Sequence, residues 1–357
     1  MVAKRKRQSN FELLRIVAML MVVAHHFVRY AVPTLDAYPL DGRWLFFFVL
    51  ESGGEVGVDV FLGISLWFLT ARDLSLRTVR GHLLKTEAIL LSYSIPICVL
   101  SRFHVAGLKP YSILRSCFPL VSSLWWFMTS YAFVLLMLPF LLKGLRALGQ
   151  RMHAELVYLV VACVFALPML PFSGLPFTAL TSFFCLAIII AYIRWYPNPL
   201  LEKPHAGWML LLVSFVVNIG LGVLIKLGSA DSPGSDSMRW LWYPGSLAVV
   251  GEALGLIVVF RRVRVQSRAI NFVAQSTVGV YLLHEHPAIK AVLWRVVPFS
   301  SVYASSLWLL LAVMVVVGIY GGCTGVDMMR RALFSIVGRL QAKGLPSMLL
   351  TQNKADG

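Results

Sequence analysis

The stretch NFELLRIVAMLMVVAHHFVRY, Asn10 to Tyr30, decides the fold. It is long and apolar enough to cross a bilayer, which takes about 20 helical residues. Yet it carries Arg15 near its start and His26 eleven residues later. At about 100° per residue, that spacing is about three turns plus roughly 20°, so both side chains share one face, about 16 Å apart along the axis. Ionisable groups within a span are costly and turn towards the protein interior. This face is therefore the first place to look for chemistry.

The rest of the chain is of the same kind. Of its 357 residues 59% are hydrophobic and 13% charged, and the mean hydropathy is +0.78, which excludes an ordinary water-soluble domain. Apolar runs fall at 11–31, 54–71, 86–102, 123–142, 155–172, 175–194, 207–227, 240–260, 272–293 and 304–324. The expected fold is all-α: a polytopic transmembrane helical bundle of about ten helices, with a basic tail over 1–10, the membrane domain over 11–325 and a C-terminal tail over 326–357. The first run has no small-residue cleavage site and is expected to remain as a span rather than be removed as a signal peptide. Most of the 32 lysines and arginines fall in alternate connections, and the positive-inside rule then puts both termini in the cytoplasm. The connection at 103–122, with Lys109 and Arg115, is the exception to that pattern. The net charge of +16 is dispersed over short loops, a topology signal beside anionic lipid rather than a nucleic-acid surface. Five cysteines without a CxxC or zinc-type spacing indicate neither a disulfide framework nor a metal site.

Four further stretches stand out. GGEVGVDVFLGIS, 53–65, enters the second run, with glycines that permit close helix approach. Its Glu55 and Asp59 are four residues apart and share a helical face; one of them could charge-balance a histidine, or both could stay in the interface. The following connection carries Arg72, Arg77, Arg80, His82 and Lys85, donors suited to phosphate as well as to orientation. LWWF, 124–127, opens the fourth run, and Trp125 is expected to anchor it at the interface. STVGVYLLHEHP, 276–287, brings a His-Glu-His triplet to the depth of His26. The residues 32–52 are expected to form an outer loop, part of it dipping into the interface at 44–50. There is no internal repeat of the kind inverted transporters carry.

Two levels result: Arg15 with the basic 72–85 connection, and a deeper group of His26, Asp59, His284 and Glu285. At this point the chain resembles the membrane-bound acyltransferase 3 family, particularly its bacterial acetyltransferases of surface glycans. The resemblance covers nearly the whole chain: the arginine-to-histidine pattern of the first helix, Gly57–Ser65, Leu124–Phe127, and Gly279–His284. It departs from the family at Leu66, where a glycine usually follows the serine. The resemblance implies transfer of an acyl group, typically acetyl, from cytoplasmic acyl-CoA to a hydroxyl of a glycan or lipid-linked glycan in a multi-pass bacterial cell (inner) membrane protein. On it, His26 is the general base and Arg15 helps hold the acyl donor. Arg77, Arg80 and Lys85 bind the coenzyme phosphates, the family's inner arginine motif corresponding either to Arg77 and Arg80 or to His82 and Lys85, and Asp59, Glu55, Trp125, His284 and Glu285 support the site. Acetyl-CoA is then a co-substrate, with membrane lipids as surroundings and no metal or nucleic acid. The alternatives are a transporter or flippase, which would use the same buried groups as a pathway without consuming acyl-CoA, and a non-catalytic assembly partner that would tolerate loss of His26.

Overall fold

The structure, a computed structural model, describes residues 7–30, 33–169, 178–228 and 246–344. The Pro/Gly-rich stretch at 171–176, which reads as a turn, and the Gly/Ser/Asp-rich stretch at 229–237, which reads as an outer loop, lie outside them. Among the described residues the fold is all-helical: α1 (Ser9–Arg29), α2 (Gly42–Leu69), α3 (Leu76–Arg102), α4 (Ile113–Cys117), α5 (Trp126–Val160), α6 (Ala179–Trp195), α7 (Pro199–Glu202), α8 (Ala206–Gly228), α9 (Leu247–Phe260), α10 (Arg268–Val273), α11 (Thr277–His284), α12 (Pro287–Val296), α13 (Phe299–Ala304) and α14 (Trp308–Gly344). Among the described residues five helices are long and apolar enough to cross a membrane, α1, α3, α5 with its continuation, α8 and α14, while α6 and α9 are shorter apolar helices. The exposed faces of α5, α8 and α14 carry large apolar side chains such as Phe133, Phe140, Val213, Val216, Leu310 and Met314, as a surface facing lipid must.

α1 lies at the centre, packed on α2 and touched by α9, α10, α11 and α14. Lipid tails offer little hydrophobic drive between helices, so close packing through small residues has to hold them together. A Cβ on Gly57 would stand 2.6 Å from the Ala18 carbonyl oxygen, and one on Gly54 would overlap the His25 ring. These glycines are what let α1 and α2 meet.

α2 starts earlier than expected. Residues 44–50 are neither loop nor interfacial dip but its first turns, because Asp41 caps the helix, its Oδ1 accepting from the Trp44 amide at 2.7 Å. Trp44, Phe47 and Phe48 then bury fully among Phe27, Phe299 and Tyr303 in an aromatic cluster at the Tyr30 end of α1. Burial and the Asp41 carboxylate push the Tyr303 phenol up to about 12, so it stays a donor to Asp41 Oδ1 at 3.2 Å.

Two other boundaries differ from expectation. The apolar runs at 123–142 and 155–172 form one helical run, α5 continuing as a π-helix over Val161–Ala166. Gly149, with φ 70° and ψ 176°, divides it into two arms. Both arms rest on α6, through Trp126 and Phe127 against Phe183 and through His153, which contacts the Ile188 carbonyl oxygen at 3.1 Å. The last helix continues past 325 to Gly344. There Asp327, 1% exposed, accepts from Tyr93 and from Arg330 at 2.8 Å and pairs with Arg331 at 2.9 Å.

Candidate active site

The run at 272–293 is not one helix, and its break makes the site. Pro287 has no amide hydrogen to donate, so α11 ends at His284, and His286 caps α12 by accepting from the Ala288 amide at 3.2 Å. Glu285 sits in the joint. The break turns α12 so that Lys290 comes back onto Glu285, Nζ to Oε1 2.6 Å.

From α1, His26 meets both flanks of that joint. Its Nδ1 is 2.9 Å from His284 Nε2, and its Nε2 is 3.2 Å from Glu285 Oε2. One turn on, Tyr30 donates to Glu285 Oε1 at 2.8 Å, and its ring stacks on His26 with centroids 5.4 Å apart. The far nitrogen of His284, Nδ1, lies 2.5 Å from the Val280 carbonyl oxygen. A carbonyl only accepts, so that nitrogen carries a proton. In a neutral ring His284 Nε2 is then an acceptor, and His26 Nδ1 must donate to it. The lone pair of neutral His26 is thus left on Nε2, the tautomer required of a base. His284 acts here as a positioning residue.

Glu285 Oε2 accepts no hydrogen bond despite its burial, and the Tyr281 hydroxyl on the same face of α11 donates to no protein group. Unpartnered buried polar atoms beside a histidine are places where a ligand's groups would be met. Ligand-type atoms of His26, His284 and Glu285 also lie within 4.8 Å of one another, close enough to hold a metal ion. The two nearest imidazole nitrogens, however, are already joined by the His26–His284 hydrogen bond.

Between Arg15 and His26 lies a narrow apolar slot. It is lined by Met19 and Val22 of α1, Val58 and Phe61 of α2, Phe127 and Met128 of α5, and Val278 and Tyr281 of α11. One turn before Met19 on α1, Arg15 pairs with Glu12 at 2.9 Å, its side chain a quarter exposed. Arg77, Arg80, His82 and Lys85 are exposed on α3 and make no hydrogen bond or ion pair with a described residue.

The structure thus brings His26, His284 and Glu285 together, as the sequence places them at one depth. It does not bring Asp59 or Glu55 to the histidine. Asp59 is 1% exposed, and one oxygen of each acid has no hydrogen-bond partner. Trp125 is not an interfacial anchor: it is 1% exposed, donates from Nε1 to the Leu282 carbonyl at 3.1 Å and packs edge-on to His286. Leu66 fills the core with no exposure. The sequence reading missed Tyr30, Tyr281 and Lys290; the i to i+4 spacing of Tyr30 from His26 and of Tyr281 from Glu285 is the signal that would have found two of them.

Comparison with curated proteins and with solved structures gave no match. The model of the acyltransferase 3 family, described as an acyltransferase domain, matches residues 8–325. That span takes in α1 with His26, the glycine-bearing half of α2, Trp125 and the α11–α12 joint, and the chain therefore belongs to the acyltransferase 3 family of membrane acyltransferases.

Proposed function

We propose that this protein moves an acyl group, typically acetyl, from cytoplasmic acyl-CoA to a carbohydrate hydroxyl presented on the other side of a bacterial cell membrane, with multiple helices spanning it and both termini inside. The observation that carries the reading is the His284–His26 hydrogen bond, which leaves the lone pair on His26 Nε2. The coenzyme's phosphates meet Arg77, Arg80 and Lys85, Arg15 steadies the donor at the mouth of the slot, and the thin arm runs along the slot towards His26. The slot is tight as it stands, so donor entry parts the side chains of Met19, Met128 and their neighbours.

His26 Nε2 takes the proton of the acceptor hydroxyl as its oxygen attacks the thioester carbonyl carbon. The Tyr281 hydroxyl, which donates to no protein group, donates to the oxyanion that forms. The intermediate collapses with cleavage of the carbon–sulfur bond, and the leaving thiolate recovers the proton from the His26 imidazolium. Glu285, held by Tyr30 and Lys290, balances that transient cation. Transfer is direct; labelled acyl group found covalently on the protein would contradict it.

The test uses purified protein, radiolabelled acetyl-CoA and membrane glycan extract. Label reaches glycan with the wild type and falls by about 10²–10⁴-fold in His26→Ala, the usual worth of a general base. Equal transfer by both proteins would remove His26 from the mechanism, and failure to bind acyl-CoA at all would favour a transport pathway.

A further inference from the structure

Beside the site, on the Tyr30 side, lies a cavity of about 510 Å³ between α1 and the α12–α13 segment, within the size range of small-ligand sites. Its walls include the aromatic side chains of Phe27, Tyr30, Trp294 and Phe299 together with Lys290 and Arg295, and among the described residues no carboxylate lines it. We propose that this cavity is the acceptor subsite, and that it takes an anionic sugar unit, a pyranose carrying a carboxylate. This rests on the acyl-transfer reading for its purpose but not for its chemistry.

Three features of the walls point to that class. The Trp294 ring stands 6.1 Å from that of Tyr30 at 36°, and both line the cavity. Flat aromatic faces suit a sugar ring that presents C–H groups on one side. The charges are not balanced: Lys290 is neutralised by Glu285 at 2.6 Å, but Arg295 makes one bond, to the Ala291 carbonyl of its own helix at 3.2 Å, and pairs with no described acid. A planar guanidinium with free N–H groups matches a carboxylate. Lastly, Tyr30 and Lys290 line the cavity and hold Glu285 at the same time. A sugar seated there would therefore touch the same Tyr30 and Lys290 groups that hold Glu285, the acid paired with His26. On the proposed orientation Lys290 and Arg295 stand outside, where positive charge serves no topogenic purpose.

The experiment is calorimetric titration of the full-length protein in phosphatidylcholine nanodiscs with a glucuronate-containing tetrasaccharide and with its carboxyl-reduced, neutral form. The wild type is expected to bind the acidic form about tenfold tighter, the worth of one charged hydrogen-bonded contact. Arg295→Gln is expected to erase that preference, and Trp294→Ala to weaken both forms. Trp294→Phe, which keeps a ring and loses only the N–H, guards against a folding defect and is expected to fall between. Equal binding of the two forms, binding of neither, or a preference that survives in Arg295→Gln overturns the proposal. So does loss of binding when phosphatidylglycerol replaces phosphatidylcholine, which would make a lipid headgroup the occupant. Sugar binding as expected with no label transferred in the acetyl-CoA experiment would sink the acyltransferase reading and leave this site standing; transfer without sugar binding would do the reverse.

Discussion

His26 matters less as a histidine in a membrane than as one whose tautomer is set by its neighbour. His284→Ala removes the acceptor at 2.9 Å and frees the ring to turn, so kcat is expected to fall on the order of 10²-fold with the KM for acyl-CoA unchanged. Steady-state kinetics with the donor varied would check this, and a raised KM with intact kcat would make His284 a donor contact instead. Tyr281→Phe keeps the packing against Phe127 and deletes only the hydroxyl. It is expected to lower kcat by about 10²-fold, as loss of an oxyanion donor does, without loss of thermal stability. Chelation with EDTA is expected to leave turnover intact, since His26 and His284 are engaged with each other; inactivation reversed by one divalent cation would assign the triad to a metal. At this scale the sequence was legible where the cause is local. The eleven-residue spacing put Arg15 and His26 on one face because a helix is periodic, and the triplet at 284–286 was visible as polarity in an apolar run. The choice of Glu285 over Asp59 as the partner of His26 was not legible, because it depends on contacts between residues 259 positions apart. Trp125 was misread for the same reason, its acceptor carbonyl being 157 residues away.

Elements fail or succeed on single backbone positions. At Gly57 a Cβ would stand 2.6 Å from a main-chain oxygen, which cannot swing aside, whereas at Gly53 the nearest atom is the end of Met21 at 3.5 Å. Gly57→Ala is therefore expected to destabilise the α1–α2 pair by about 1–3 kcal/mol, the usual range for overpacking, and to lower activity by displacing His26. Gly53→Ala is expected to be neutral. Thermal unfolding of the two variants in the same detergent distinguishes them, and equal melting would show that the pair is not packed this closely. The glycines of 53–63 were legible as a sign of close approach, but the start of α2 was not. Pro39, Asp41 and Gly42 look like loop, and only the burial of Trp44, Phe47 and Phe48 against Phe299 and Tyr303 makes helix the cheaper conformation for the residues between. The α11–α12 joint shows the converse. Pro287 could have been read as a stop, yet the apolar run across it disguised two helices as one.

The whole molecule has two unlike ends joined through one histidine. At the Arg15 end are the unpaired cations of α3, suited to a phosphorylated donor; at the Tyr30 end is an aromatic cavity suited to a sugar. Hydropathy made the membrane class legible because about 20 apolar residues have few other uses. It could not reveal the functional difference between the ends, since that arises when α1, α3, α11 and α12 are packed together. If the proposed orientation holds, the donor has access from one side alone, because the slot between the ends is apolar and too narrow for a phosphorylated head and free coenzyme A does not cross lipid. Acetyl-CoA added outside sealed inverted vesicles is therefore expected to be consumed, with release of free thiol, while the same addition to right-side-out vesicles leaves it intact until detergent is added. Inverted vesicles carrying Arg77→Ala and Arg80→Ala together are expected to show a raised KM for acetyl-CoA and nearly unchanged kcat, since phosphate contacts bind ground state and transition state alike. Turnover from the right-side-out face before detergent would reverse the assignment of the two ends, moving the donor to the aromatic cavity and the acceptor to the basic surface, and it would do so whatever the chemistry at His26.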